Sequence, residues 1–270
     1  MTRSAVALLV VFLTACAVDQ SEEVRIGQEN AQAVSTQLPM VRDPVVSEYV
    51  QRLGMELANR TPRADLQWRF SVVNSDDINA FALPGGFIYI NRGLIERAER
   101  LDQLSGVLGH EIGHVVLRHS VEQMQKGTRT NVAIGVGCSL TGWCDNGLAQ
   151  AAIQVGGAAL FARYSRADEA EADAEAVQIV MRAGIDPEGI PSFFNRLMEE
   201  RKRSPMAFET FFASHPMEGD RVAATRRQID AIDPAQRQGL VSDNVKYREF
   251  RARVMSLPAP PGARSRGQTF

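Results

Sequence analysis

Between Asp43 and Asn59, apolar residues fall at Val46, Tyr49, Val50, Leu53, Leu57 and Ala58. Steps of three and four put them on one helical face, and Pro44 after Asp43 suits a helix start. Trp68 to Val73 alternates as a strand does, and Asn74-Ser75-Asp76-Asp77 reads as a turn. A second strand is expected at Phe87–Ile90, introduced by Pro84-Gly85-Gly86. Leu94 to Met124 reads as two helices. The second opens near Asp102 and is apolar on several faces, as a buried central helix is. Residues 132–162 are rich in Gly and Ala and read as a pair of packed helices, with a lid or a membrane-facing patch as the alternative. Arg166 to Arg182 is expected to be helical, with Gly184 as its stop, and Ile190 to Arg201 helical again. Residues 17–38 are polar without clear periodicity and read as a tether. The Pro/Gly-rich end of the chain reads as disordered.

The expected organisation is therefore a leader at 1–15, a tether at 16–39, a catalytic domain at 40–235 and a C-terminal extension at 236–270. A net charge of −2 over 270 residues provides no electrostatic footprint for nucleic acid. Arg3 precedes a nine-residue apolar run, Ala5 to Leu13, which is too short to span a bilayer and suits a secretory signal. The run ends in Leu13-Thr14-Ala15-Cys16, which resembles a bacterial lipobox. Lipidation of Cys16 and a membrane tether are the expectation, with the outer membrane favoured because Ala17 and Val18 include no aspartate. In an oxidising compartment, Cys138 and Cys144 are expected to form a disulfide.

The candidate chemistry lies at His110-Glu111-Ile112-Gly113-His114. On a helix, the two imidazoles share a face one turn apart, and both can reach one metal ion. Glu111 sits beside that ion, where it can take a proton from water. This is the zinc-protease pattern, and it uses two of the chain's four histidines. Gly109 and Gly113 are expected to leave the metal face uncluttered. Catalytic zinc needs a third protein ligand. His119 falls five residues past His114, off the metal face, and the His-x-x-Gly-x-x-His continuation fails at Leu117 and Ser120. A capping, supporting or partner role suits His119 better. Glu169 and Asp173 lie four apart on the expected Arg166–Arg182 helix. One can bind zinc while the other supports the site or handles a proton, and Glu171 points elsewhere.

In order along the chain come Asn79-Ala80-Phe81-Ala82-Leu83-Pro84-Gly85-Gly86, then HEIGHVVLRH at 110–119, Glu169-Ala170-Glu171-Ala172-Asp173, and Ser214-His215-Pro216 with Arg221. The set resembles the zinc metalloendopeptidase family of the CAAX prenyl endopeptidases and heat-shock membrane proteases, and is most similar to its soluble periplasmic lipoprotein members. The resemblance covers about residues 40–232. It implies an α+β fold: a mostly helical, gluzincin-like zincin domain with a small β-sheet beside the HExxH helix. It implies one zinc ion held by His110, His114 and Glu169, Glu111 as general base, and Asp173 as proton donor or support. His215 and Arg221 are candidates for stabilising the oxyanion. The helical repeat domain of some members is not expected.

The function so implied is a zinc metalloendopeptidase of the envelope, periplasmic and lipid-anchored, acting on unfolded or misassembled envelope proteins. An extended substrate is expected to pair with the Phe87–Ile90 strand. The competing readings are a periplasmic chaperone or assembly factor with secondary proteolysis, and a zinc hydrolase of cell-wall peptides.

Overall fold

A computed structural model describes residues 18–126, 164–216 and 219–260. Cys16, the leader, the Cys138/Cys144 pair, the 132–162 segment and the tail beyond 260 lie outside the described residues. In order, the elements are α1 (Gln20–Gln37), α2 (Pro44–Ala58), β1 (Arg69–Val73), β2 (Ala80–Leu83), β3 (Phe87–Asn91), α3 (Arg92–Arg97) and α4 (Leu101–Val116). A helical segment α5 (119–126) follows. After it come α6 (Arg166–Arg182), α7 (Gly189–Arg203), α8 (Glu209–Ser214), α9 (Gly219–Asp230) and α10 (Val245–Met255). The described residues are thus mostly helical with one small sheet, the α+β class that the sequence implies.

The sheet order is β1-β3-β2, with β1 parallel and β2 antiparallel to β3. Side chains alternate across a strand. Ala80, Ala82, Ile88 and Ile90 join the main core with residues of α2, α4, α6, α7 and α10. Phe81, Leu83 and Tyr89 point the other way and pack against Ala31 and Val34 of α1. Both faces are covered, so β2 is buried along its whole length.

Two expectations change here. Phe87–Ile90 is the central strand and has no free edge for a substrate. The edge beside α4 belongs to β2, which pairs only with β3 among the described residues. The stretch expected to be a tether contains α1 instead. Its buried positions are Glu23, Gly27, Ala31 and Val34. The helical spacing is there, but a carboxylate, a glycine and an alanine give it almost no hydropathy signal.

α2 forms where expected, because Asp43 accepts from Val46 N at its start and Pro44 opens its first turn. Three glycines of α4 let other helices come close. A Cβ at Gly106 would meet Ile190 of α7 at 2.7 Å, and one at Gly113 would meet Ala172 O of α6 at 3.0 Å. Gly109 and Gly113 therefore face α6, not an open metal face. α4 stops at Val116 instead of running on to Met124. Arg118 takes the left-handed conformation there, with φ 61°. Beyond residue 235, α10 returns Tyr247, Phe250 and Val254 to the main core, capped by Asn244.

Candidate metal centre

α4 carries His110 and His114 at i and i+4. α6 lies along it and carries Glu169 and Asp173 on the facing side. Ser165 and Asp168 form a capping box that starts α6 just before Glu169. His215 arrives from the C-terminus of α8, and Arg221 from the first turn of α9. All six side chains are buried.

His110, His114, Glu169 and His215 each turn one ligand atom to a common point, the atoms lying within 4.8 Å of one another. His110 Nε2 is 3.0 Å from His114 Nε2 and 3.3 Å from His215 Nδ1. Glu169 Oε1 is 3.3 Å from His114 Nε2 and 3.0 Å from His215 Nδ1, and Glu169 Oε2 is 3.5 Å from His110 Nε2. Bonds of about 2.0–2.1 Å at tetrahedral angles place donor atoms about 3.3–3.4 Å apart. Three imidazoles and a carboxylate converging at that spacing fit a divalent metal. Imidazole lone pairs aimed at one another repel unless a cation or a proton lies between them.

A surrounding set of groups orients these atoms. Arg221 grips Asp173 through Nε–H to Oδ2 and Nη2–H to Oδ1, both at 2.8 Å. Its Nη1 donates to Pro216 O and also pairs with Glu169 Oε2. Asp173 Oδ1 lies 2.9 Å from His110 Nδ1, close in distance but off the hydrogen-bonding direction. Tyr164 stacks on the His114 ring with centroids 3.8 Å apart, and its hydroxyl meets Ser120 Oγ. His119 stands outside the converging group. The left-handed turn at Arg118 folds it back, so that its Nδ1 lies 2.9 Å from His114 Nδ1. Its Nε2 reaches Glu171 Oε2 at 3.3 Å. Spacing along an uninterrupted helix could not show that contact.

The buried setting separates the titrations. Burial pushes the Glu111 carboxyl up, and neither of its oxygens has a hydrogen-bond partner among the described residues. Its nearest ring contact is His215 Nε2, 3.5 Å from Oε1. Burial pushes His114 well below the ordinary histidine value. Burial also opposes charge on His110, but Asp173 and Glu169 outweigh it and raise that imidazole to about 10. Glu169 is held down against its burial by the His215 charge and by hydrogen bonds from His110 and His114. Asp173 is held down against burial by His110 and Arg221. A low-lying carboxylate and a raised one, side by side, are what a metal ligand and a proton acceptor require.

This arrangement, with two α4 histidines facing an α6 carboxylate, is that of a metallopeptidase, and residues 44–229 match the model of peptidase family M48. The chain belongs to that family. It is 28% identical over 225 residues to the beta-barrel assembly-enhancing protease of Escherichia coli (strain K12), covering 79% of this chain and 45% of that protein. It is 29% identical to a putative beta-barrel assembly-enhancing protease of Vibrio cholerae serotype O1, covering 87% and 49%. It is 30% identical to the metalloprotease LoiP of Escherichia coli (strain K12), covering 70% of this chain and 73% of that protein. The chain thus spans about half the length of the assembly-enhancing proteases it matches.

Proposed function

We propose that the protein is a zinc-dependent endopeptidase of the bacterial envelope, with His110, His114 and Glu169 as metal ligands. The observation that carries this reading is the buried convergence of two imidazole Nε2 atoms and one carboxylate at 3.0–3.5 Å. The donor set suits zinc, which when bound supplies Lewis acidity to polarise a scissile carbonyl and to make water a nucleophile near neutral pH. Glu111 follows His110 on α4 and takes the proton of the attacking water. It later gives that proton to the leaving amine. Its burial, with no hydrogen-bond partner among the described residues, keeps it basic enough for both steps.

Asp173 and Arg221 act through the ligands. Asp173 faces His110 Nδ1 and, as an ionised group, strengthens the basicity of the ring through its charge. The donors of Arg221 are spent on Asp173, Glu169 and Pro216 O, which makes it a clamp on the carboxylates and not a partner for an oxyanion. His215 Nδ1 joins the same converging group, so with a metal held by the other three residues it would stand where a substrate carbonyl has to enter, and would have to move for one to do so. The strand Ala80–Leu83 beside α4, whose outer edge pairs with no strand among the described residues, is where an extended peptide would add. Such pairing selects unfolded or exposed segments over folded ones.

Misassembled envelope proteins are the proposed substrates, in line with the names of the assembly-enhancing relatives. Lipidation at Cys16, an outer-membrane location and a Cys138–Cys144 disulfide belong to the same proposal. No helix among the described residues is long and apolar enough to cross a membrane. The test compares the wild type with Glu169→Ala. The wild type should carry one zinc and cleave casein but not purified peptidoglycan peptides, and the variant should lose the metal. Full zinc occupancy in Glu169→Ala removes Glu169 as a ligand, and cleavage of peptidoglycan peptides alone favours the cell-wall reading.

A further inference from the structure

One buried carboxylate lies outside the centre yet is tied to the end of the metal-bearing helix. Glu23 of α1 is 1% exposed. Its Oε1 accepts from Arg63 Nη1 at 2.8 Å and from Gly85 N at 3.1 Å. Its Oε2 accepts from Arg63 Nη2 at 3.0 Å and from Arg118 Nε at 2.9 Å. Arg63 Nη1 also donates to Val115 O, in the last turn of α4. Glu23 therefore joins the β2–β3 turn, the loop after α2 and the C-terminus of α4.

Arg118 is the one non-glycine residue with positive φ among the described residues. An L-residue with a side chain does not settle there unaided, so something must hold it. Its backbone N–H donates to Val115 O and its carbonyl accepts from Glu122 N, and two side-chain contacts add to these: Nε on Glu23, and Nη2 on Val18 O at the approach to α1. The reversal they hold starts α5 and turns His119 back against His114. His119 Nε2–H donates to Glu171, leaving Nδ1 as an acceptor. His114 Nδ1–H donates to it, which leaves the lone pair of His114 Nε2 facing His110 and Glu169. A metal-bound histidine needs such a partner to fix its tautomer and ring orientation.

We propose that Glu23 is a positioning residue of the metal centre: from the N-terminal helix it holds Arg118 left-handed, and so holds His119 against the ligand His114. This rests on the reading of His110, His114 and Glu169 as ligands. The seating of α1 then sets the metal affinity, although no atom of α1 touches the site.

The test uses the full chain and four variants: Glu23→Gln, Arg118→Ala, Arg118→Gly and the double variant Glu23→Gln/Arg118→Gly. Zinc affinity is read by competition with a chromophoric chelator, the ligand field from the absorption of the cobalt(II)-loaded protein, and stability from the thermal midpoint in chelator. Glu23→Gln and Arg118→Ala should each weaken zinc binding about tenfold or more and shift the cobalt bands. Glycine adopts positive φ without being held. Arg118→Gly and the double variant should therefore bind zinc within about threefold of wild type, while the double variant stays less stable, since a neutral amide with one acceptor oxygen replaces the buried carboxylate that pairs with Arg63.

If Glu23→Gln lowers the thermal midpoint alone, with zinc affinity and cobalt bands unchanged, the inference fails. It also fails if Arg118→Gly is as damaging as Arg118→Ala, a comparison that leaves the Glu23 cluster in place and holds even where Glu23→Gln does not fold. The ligand reading is tested separately by His110→Ala. If that variant binds zinc like the wild type, the ligand reading falls; if it does not bind and Glu23→Gln does, the positioning inference alone falls.

Discussion

His215 and Glu111 face each other at 3.5 Å across the centre, and the two side chains have opposite demands. In the proposed mechanism Glu111 takes a proton from water, and His215 as placed stands against that carboxylate. Replacing His215 by alanine should leave zinc bound through His110, His114 and Glu169 and raise the basal cleavage of an unfolded protein several-fold. Loss of turnover with zinc retained would make His215 a catalytic residue and not a restraint. The pH behaviour follows from the same buried set. With no metal bound, His110 titrates near 10 instead of 6.5. Its stabilising contribution is complete below pH 6.5 and is lost as pH rises through 10. Glu169 and Asp173 are held down, so their contributions are present above 4.5 and 3.8 and are lost as pH falls. A metal ion replaces the His110 proton. Thermal melts should show the chelator-treated protein losing stability between pH 6.5 and 10 and the zinc-loaded protein losing less, with zinc affinity rising over that window. Equal slopes in both forms would contradict the shared-site account.

Helix α1 docks through residues that hydropathy overlooks. Gly27 lies against the β2–β3 turn, and a Cβ there would fall 1.9 Å from Pro84 O. Gly27→Ala should therefore push α1 off the sheet and destabilise the protein by about 1–3 kcal/mol, as overpacking does, measured by denaturant unfolding. A stability equal to wild type would mean that α1 is not seated there. The contrast between elements shows what a sequence can carry. Helices α2 and α6 and strands β1 and β3 were legible because caps, Gly184 and alternation mark them. Strand β2 was seen as a motif and not as a strand, since burial on both faces erases its alternation. The α1 docking face was lost because its contacts are a carboxylate, a glycine and an alanine. At the site, the two histidines and Glu111 were legible from spacing, and Glu169, Asp173, His215 and Arg221 came from ordered motifs. The contacts of His119 and Glu171 were not legible. They depend on one left-handed residue, and nothing about an arginine announces positive φ.

Across the described residues, the two ends of the chain close the fold over opposite sides of the sheet. α1 covers one face of the sheet, and α10 returns Tyr247, Phe250 and Val254 to the other side. The family match covers 44–229, and both of these helices lie outside it. The similarity to the Vibrio cholerae relative covers 87% of this chain and so extends beyond those bounds. The most direct test of the central claim is a paired measurement on wild type and Glu111→Gln: zinc per chain, and the rate of casein cleavage. The account predicts one zinc in both, with cleavage in the variant reduced about 10²–10⁴-fold, as loss of a general base entails. Equal cleavage by the two proteins, or a wild type that cleaves equally well after zinc is stripped, would contradict it.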